Sequence, residues 1–152
     1  WYVRNTYLEN SLRERGRSRV LGVPVAPGKV TVPAYVLATR EDHIVPWRTA
    51  YQTTQLLQGE ARFVLGASGH VAGVINPPSK NKRSHWVGGQ PTVSAEDWLA
   101  AATERPGRWW TDWSRWLERF GGESVPARSR PGHAEFNPIE PAPGRYARQR
   151  IA

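Results

Sequence analysis

The stretch from Pro33 to Trp47, PAYVLATREDHIVPW, decides the fold. Its first half, Pro33-Ala34-Tyr35-Val36-Leu37-Ala38-Thr39, is a short apolar run after a proline. That is the pattern of a strand covered on both faces, the kind found in parallel sheets. The character changes at Arg40: two carboxylates and a histidine follow, and Pro46 suits the first turn of a helix. From Trp47 to Leu57, the residues Trp47, Ala50, Tyr51 and Thr54 share one helical stripe, and Gly59 ends it. A second apolar run, Ala61-Arg62-Phe63-Val64-Leu65-Gly66, comes next. Strand, helix and strand make a βαβ unit whose connection length suits a right-handed crossover. The expectation is an α/β fold of parallel strands with flanking helices.

That topology has a chemical consequence. Parallel strands end at one edge of the sheet, and α/β folds bind ligands beyond those carboxyl ends. Asp42 lies just past the first strand. His70, in Gly66-Ala67-Ser68-Gly69-His70-Val71-Ala72-Gly73, lies just past the second. Although 28 positions apart in sequence, they can meet, because neighbouring strands are only about 4.8 Å apart. A carboxylate on one imidazole nitrogen fixes the tautomer and leaves the other nitrogen as general base. Asp42 suits this better than Glu41, since a short acid directly after a strand has less freedom. Two plainer readings stand beside it: His70 as an ordinary loop histidine, and Asp42 as a cap for the helix at Trp47. Both roles of Asp42 can coexist.

A base needs a nucleophile, and these residues offer no strand-to-helix elbow to carry one. Ser68 in GASGH falls short, because G-x-S-x-G would need glycine where His70 stands. A serine two residues from the base on the same loop is also poorly placed to meet it.

The chain of 152 residues can bury one core. It has no Met and opens on Trp1, which reads as a fragment or processed chain. With no Cys, disulfides, thiolate metal sites and a cysteine nucleophile are ruled out within these residues. No apolar run approaches the roughly 18 residues of a membrane span, and no signal-peptide pattern is visible. A soluble, cytoplasmic protein without a metal is expected. The net charge is +8, with 18 Arg and 3 Lys (Lys29, Lys80, Lys82). The arginines are spread along the chain without interleaved aromatics or a recognisable module, so no nucleic-acid partner is expected.

Outward from the βαβ unit the signals are weaker. Tyr7, Leu8 and Leu12 have helical spacing within residues 1–13, and Gly16 is a stop. A loop-rich span with Gly22, Pro24, Pro27 and Gly28 follows. Pro77-Pro78 and the stretch Ser79 to Trp86 read as a polar, irregular excursion. Ser94 with Asp97 resembles a capping box opening a helix through Trp98 and Leu99. A further helix runs from Trp109 to Phe120, with Trp109, Trp113, Trp116, Leu117 and Phe120 on one face and Gly121-Gly122 as its end. Residues 123–152 hold five Pro and five Arg with few apolar groups. They read as an extended or flexible tail after a body of residues 1–122, draped over it through Phe136, Ile139 and Tyr146.

The stretches WYVRNTYLENSL, REDHIVPW, FVLGASGHVAGVINPPSKNKRSHW and IEPAPGRY together resemble the C-terminal part of the class I poly(3-hydroxyalkanoate) polymerases. The resemblance covers nearly the whole chain. It implies an α/β-hydrolase-type acyltransferase that polymerises 3-hydroxyacyl-CoA and releases coenzyme A, with no cofactor. By the same resemblance Asp42 and His70 match two members of a Cys-His-Asp triad, whose cysteine would lie before residue 1. His43 and Trp47 would shape the substrate wall behind the pair. Lys80, Lys82 and Arg83 would meet coenzyme A phosphates, although a solvated charged loop explains them more simply. The implied partners are the acyl-CoA and the growing polyester chain, in a homodimer at the surface of polyester granules. An esterase or depolymerase on the same scaffold, or a non-catalytic basic binding fragment, are the alternatives.

Overall fold

The computed structural model describes residues 1–75, 77–91 and 94–150. Asn76, inside the longest motif, and the last two residues of the expected tail lie outside the described residues. The strands are Arg19–Val20 (β1), Val23–Pro24 (β2), Ala34–Thr39 (β3), Ala61–Gly66 (β4), Ser84–Val87 (β5) and Thr103–Pro106 (β6). The α-helices are Trp47–Tyr51 (α1), Thr53–Leu56 (α2), Ala95–Ala101 (α3) and Trp110–Glu118 (α4).

β3 and β4 pair in parallel, from Ala34 opposite Ala61 to Thr39 opposite Gly66. The βαβ unit read from the sequence is therefore present. Because side chains alternate across a strand, this register sets both faces. Val36 opposite Phe63 and Ala38 opposite Leu65 point to one side. There Trp47 and Tyr51 of α1 and Trp98 of α3 close over them as the main core. Phe63 meets the ring edges of Tyr51 at 4.8 Å and Trp98 at 4.7 Å between centroids, a favoured aromatic geometry. Burying Phe63 and Leu65 stabilises the fold by about 1.5–3 kcal/mol each.

On the other face stands the register pair Tyr35 and Arg62. Tyr35 packs against Trp109 and against Trp116 of α4. Its hydroxyl donates to Asp112 Oδ2 at 2.9 Å, and Arg62 clasps both oxygens of the same carboxylate. Burial alone pushes the Asp112 carboxyl up, but Arg62 and Tyr35 outweigh it and hold the group below the usual range. Burial, with the Asp112 charge second, pushes the Tyr35 phenol up. Helices thus cover both faces of the strand pair.

Several sequence expectations change. The single helix from Trp47 to Leu57 is interrupted at Gln52. Thr54 donates its hydroxyl back to the Tyr51 carbonyl at 2.8 Å, a local bond that competes with the helical ladder. Its predicted stripe still holds, with Trp47, Tyr51 and Thr54 buried. Gly59 is required by close approach: a Cβ there would lie 2.5 Å from the carbonyl oxygens of Thr31 and Val32.

The stretch from Ser79 to Trp86 is not wholly irregular, because Ser84–Val87 forms β5. The sheet runs β3-β4-β5-β6, and both added strands pair antiparallel. It is therefore a mixed sheet, not a purely parallel one. Loop-rich residues 19–24 form a small hairpin whose two turn residues, Leu21 and Gly22, both take positive φ, as a type I′ turn demands.

Residues 1–13 do not form one helix. Val3–Leu8 is a π-type turn, left-handed Asn10 breaks it, and Ser11–Arg13 is a 3-10 turn. Tyr7 and Leu8 are exposed. The Ser94 cap is present, with its hydroxyl accepting the Asp97 amide at 3.1 Å. The last helix is shorter than read, and no residue of α4 is fully buried. From Phe120 onward the chain forms a second unit, with a bridge between His133 and Phe136 and a 3-10 turn at Tyr146–Arg148.

Candidate active site

The parallel ladder does not stop at the strand ends. Arg40 N–H donates to the Gly66 carbonyl at 2.9 Å, and Glu41 N–H to the Ser68 carbonyl at 3.0 Å. The loop carrying Asp42 and the loop carrying His70 are thereby laced together. The second loop turns sharply at Ser68, which is buried with a positive φ of 73°. That conformation and burial give Ser68 a structural role in the turn. Beyond His70 the chain winds into a helical turn, Val71–Ile75. A Cβ on Gly73 would fall 2.6 Å from Thr39 Cγ2 and 2.7 Å from the Ala67 carbonyl, so only glycine lets this turn close against the tip of β3.

The consequence is a carboxylate–imidazole pair. His70 Nδ1 lies 3.3 Å from Asp42 Oδ1. Nδ1 is enclosed, and its contact with the acid is a close ionic approach rather than a well-aligned hydrogen bond. The same Oδ1 accepts the amides of Ile44 at 2.8 Å and Val45 at 3.0 Å. The Val45 amide foremost, then the Ile44 amide and the His70 ring, hold the Asp42 carboxyl below its usual range against a smaller opposing effect of burial. An ionised acid is what the role of orienting partner requires. The capping alternative takes a different form here. Asp42 pins its own loop, whereas α1 begins at Trp47 behind Pro46, with no side-chain cap.

The exposures divide the labour. The Asp42 side chain is only 12% exposed and that of His70 37%. With Nδ1 enclosed, the open part of the imidazole is the edge that carries Nε2. His43 joins the pair, its ring 5.4 Å from that of His70. Trp47 is 5% exposed and packs in the core against Phe63, with the Arg48 guanidinium over its ring at 4.7 Å. Lys80, Lys82 and Arg83 are exposed on the loop that leads into β5. One cleft of about 760 Å³ runs along Arg13, Arg48 and Gln52, another of about 560 Å³ along Arg105, Arg108 and Arg115, and a smaller one of about 250 Å³ along Arg62, Asp112 and Arg119. None of the three is lined by Asp42 or His70. Among the described residues no acidic, histidine or cysteine cluster could hold a metal ion, and no helix is long and apolar enough to cross a membrane.

The sequence reading missed two groups. One is the Tyr35–Arg62–Asp112 cluster, for which the only signal was a charged residue inside each of two apolar elements. The other is Arg108, a buried arginine just after the tight Gly107 turn, for which no local signal exists.

No family model matches the chain. It is 53% identical over 97% of its length to the poly(3-hydroxyalkanoate) polymerase subunit PhaC of Cupriavidus necator. Identity is 44% over 99% to the subunit of the same name from Rhizobium meliloti and 44% over 99% to the poly(3-hydroxyalkanoate) polymerase of Methylorubrum extorquens. The chain spans about a quarter of the length of these relatives, 24–25%. Along almost its whole length the chain is similar in sequence to one segment, about a quarter, of the poly(3-hydroxyalkanoate) polymerases.

Proposed function

We propose that this chain supplies the Asp–His half of the catalytic machinery of a poly(3-hydroxyalkanoate) polymerase, an acyltransferase that releases coenzyme A from 3-hydroxyacyl-CoA. In this reading β3 and β4 are two adjacent parallel strands of an α/β-hydrolase-type sheet, and the nucleophilic cysteine comes from elsewhere in the full-length protein. The single observation that carries it is Asp42 Oδ1 at 3.3 Å from His70 Nδ1, at the tips of adjacent parallel strands.

The geometry supports the following roles. Asp42, kept ionised by two backbone amides, holds the proton on Nδ1 and balances charge on the ring. His70 Nε2, on the open edge, takes the proton of the cysteine thiol. The thiolate attacks the thioester carbonyl, and the coenzyme A thiolate leaves with that proton. Nε2 then accepts a proton from the 3-hydroxyl that attacks the acyl-enzyme carbonyl; the carbon–sulfur bond breaks, the cysteine thiolate leaves and takes that proton from Nε2, and the polyester is one unit longer. His43, whose ring lies 5.4 Å from the imidazole, shapes the wall of the site, and Trp47 supports the start of α1 from the core. The homodimer and the polyester-granule surface rest on the family resemblance alone.

Coenzyme A release by the full-length protein tests the reading. His70→Ala should abolish turnover of 3-hydroxyacyl-CoA while the protein stays folded. Near-wild-type release in that variant removes the assignment. Faster hydrolysis of finished polyester than of the thioester would favour a depolymerase on the same scaffold.

A further inference from the structure

We propose that Arg108 is a positioning residue for His70, acting through the backbone of the helical turn that carries the imidazole. The proposal rests on the polymerase reading above. Arg108 is 5% exposed. Its Nη1 donates to the Ala72 carbonyl at 2.9 Å and reaches the Gly73 carbonyl at 3.5 Å. These are the second and third residues after His70. No carboxylate pairs with this guanidinium among the described residues, and its Nε is enclosed without a partner.

A buried cation without a counterion is costly, and an apolar residue of the same size would serve stability better. What the arginine offers instead is a charged donor fixed against two carbonyls, and such bonds are about twice as strong as neutral ones. The turn is then held from two sides. Gly73 lies against Thr39 at the tip of β3, as the space left for a Cβ there shows, and Arg108 holds the same segment by its carbonyls.

The far end of the strut is equally fixed. Arg108 N–H donates to Asn81 Oδ1 at 3.1 Å. Gly107 N–H donates to the Arg83 carbonyl at 2.7 Å, and the buried His85 donates Nδ1–H to the Gly107 carbonyl at 2.9 Å. Gly107 itself has a φ of +83°, and a Cβ there would meet the Asn81 side chain at 2.4 Å. The antiparallel extension β5–β6 therefore ends in a rigid corner, and the guanidinium transmits that rigidity to the loop of the base. This gives the extension a purpose in catalysis although it contributes no reacting group.

Displacement of a catalytic group by about 1 Å can cost about 100-fold in rate. In the full-length protein, Arg108→Met should lower kcat for coenzyme A release about 100-fold, with KM changed by less than about twofold. Arg108→Lys, which keeps one charged donor, should recover about tenfold of that loss. Nitrogen-15 shifts of His70 should report a single tautomer protonated on Nδ1 in the wild type and a mixture in Arg108→Met. If Arg108→Met does not fold, Asn81→Ala, which releases only the Arg108 amide, should lower kcat about 3- to 10-fold with KM unmoved.

A folded Arg108→Met with kcat within about threefold of wild type overturns the proposal. So does a kcat loss matched by a KM rise and not recovered by lysine, and so does an unchanged kcat in Asn81→Ala. If instead His70→Ala releases coenzyme A at the normal rate, the role of His70 as the base fails, and this proposal goes with it.

Discussion

The two halves of the main sheet are built on opposite principles. β3 and β4 are six residues each, rich in apolar side chains, laid parallel and covered by helices on both faces. β5 and β6 are four residues each and antiparallel, and every residue of β6 is exposed. The first half folds because its register buries Phe63, Leu65 and Val64. The second half is held by its pairing to the first and by the Asn81–Gly107–Arg108 corner. The parallel half presents the acid and the imidazole at its carboxyl edge, while the antiparallel half braces the loop of the imidazole from behind.

Substitutions can break or sharpen that contrast. The largest effect belongs to the parallel tips: His70→Ala should lower coenzyme A release by about 10⁴-fold or more, read from steady-state turnover of the full-length protein. Asp42→Asn should cost about 10²–10⁴-fold, with little change in thermal stability. Its amide oxygen can still accept from Ile44 and Val45, as Oδ1 does now, but the charge is gone. Asp42→Ala should lose the loop as well, so a stability gap between the two variants separates chemistry from architecture.

Next comes packing at the strand tip. Gly73→Ala places a methyl 2.6 Å from Thr39 Cγ2 and should destabilise by about 1–3 kcal/mol in denaturant unfolding. Asp112→Asn, on the helix-covered face, should cost about 1–3 kcal/mol near neutrality, since the Arg62 charge is left in a half-buried place. The folded Asp112 carboxyl titrates below its ordinary value. Its contribution is therefore present above the unfolded value of about 3.9 and is lost as pH falls through the lower folded value. The gap between wild type and Asp112→Asn should narrow on acidification and close at the acid end; a gap that widens there refutes the ion pair. The smallest effect is expected at the open strand, where Thr103→Ala should stay within about 0.5 kcal/mol.

The sequence predicted the parallel half well because burial on both faces leaves an unbroken apolar run. Ala34–Thr39 and Ala61–Gly66 match the expected strands to within a residue. The antiparallel half escaped for the converse reason. Ser84-His85-Trp86-Val87 and Thr103-Glu104-Arg105-Pro106 carry polar and charged residues, and their pairing is decided by neighbours rather than by local pattern. At residues 1–13 the periodicity was misleading, since exposed Tyr7 and Leu8 face no core among the described residues of their unit.

The candidate site shows the same division. Local pattern alone placed Asp42 and His70 just past two strands, because strand ends are written in the switch from apolar run to polar loop. Which oxygen faces which nitrogen, and that one oxygen also takes two amides, depends on how the loops cross. Arg108 lies further still from prediction. Its partners at 72 and 73 are more than thirty residues away, and a buried guanidinium has no periodicity to betray it. Periodic burial is a short-range property and can be read from the chain; the meeting of single polar groups is long-range, and only the folded backbone fixes it.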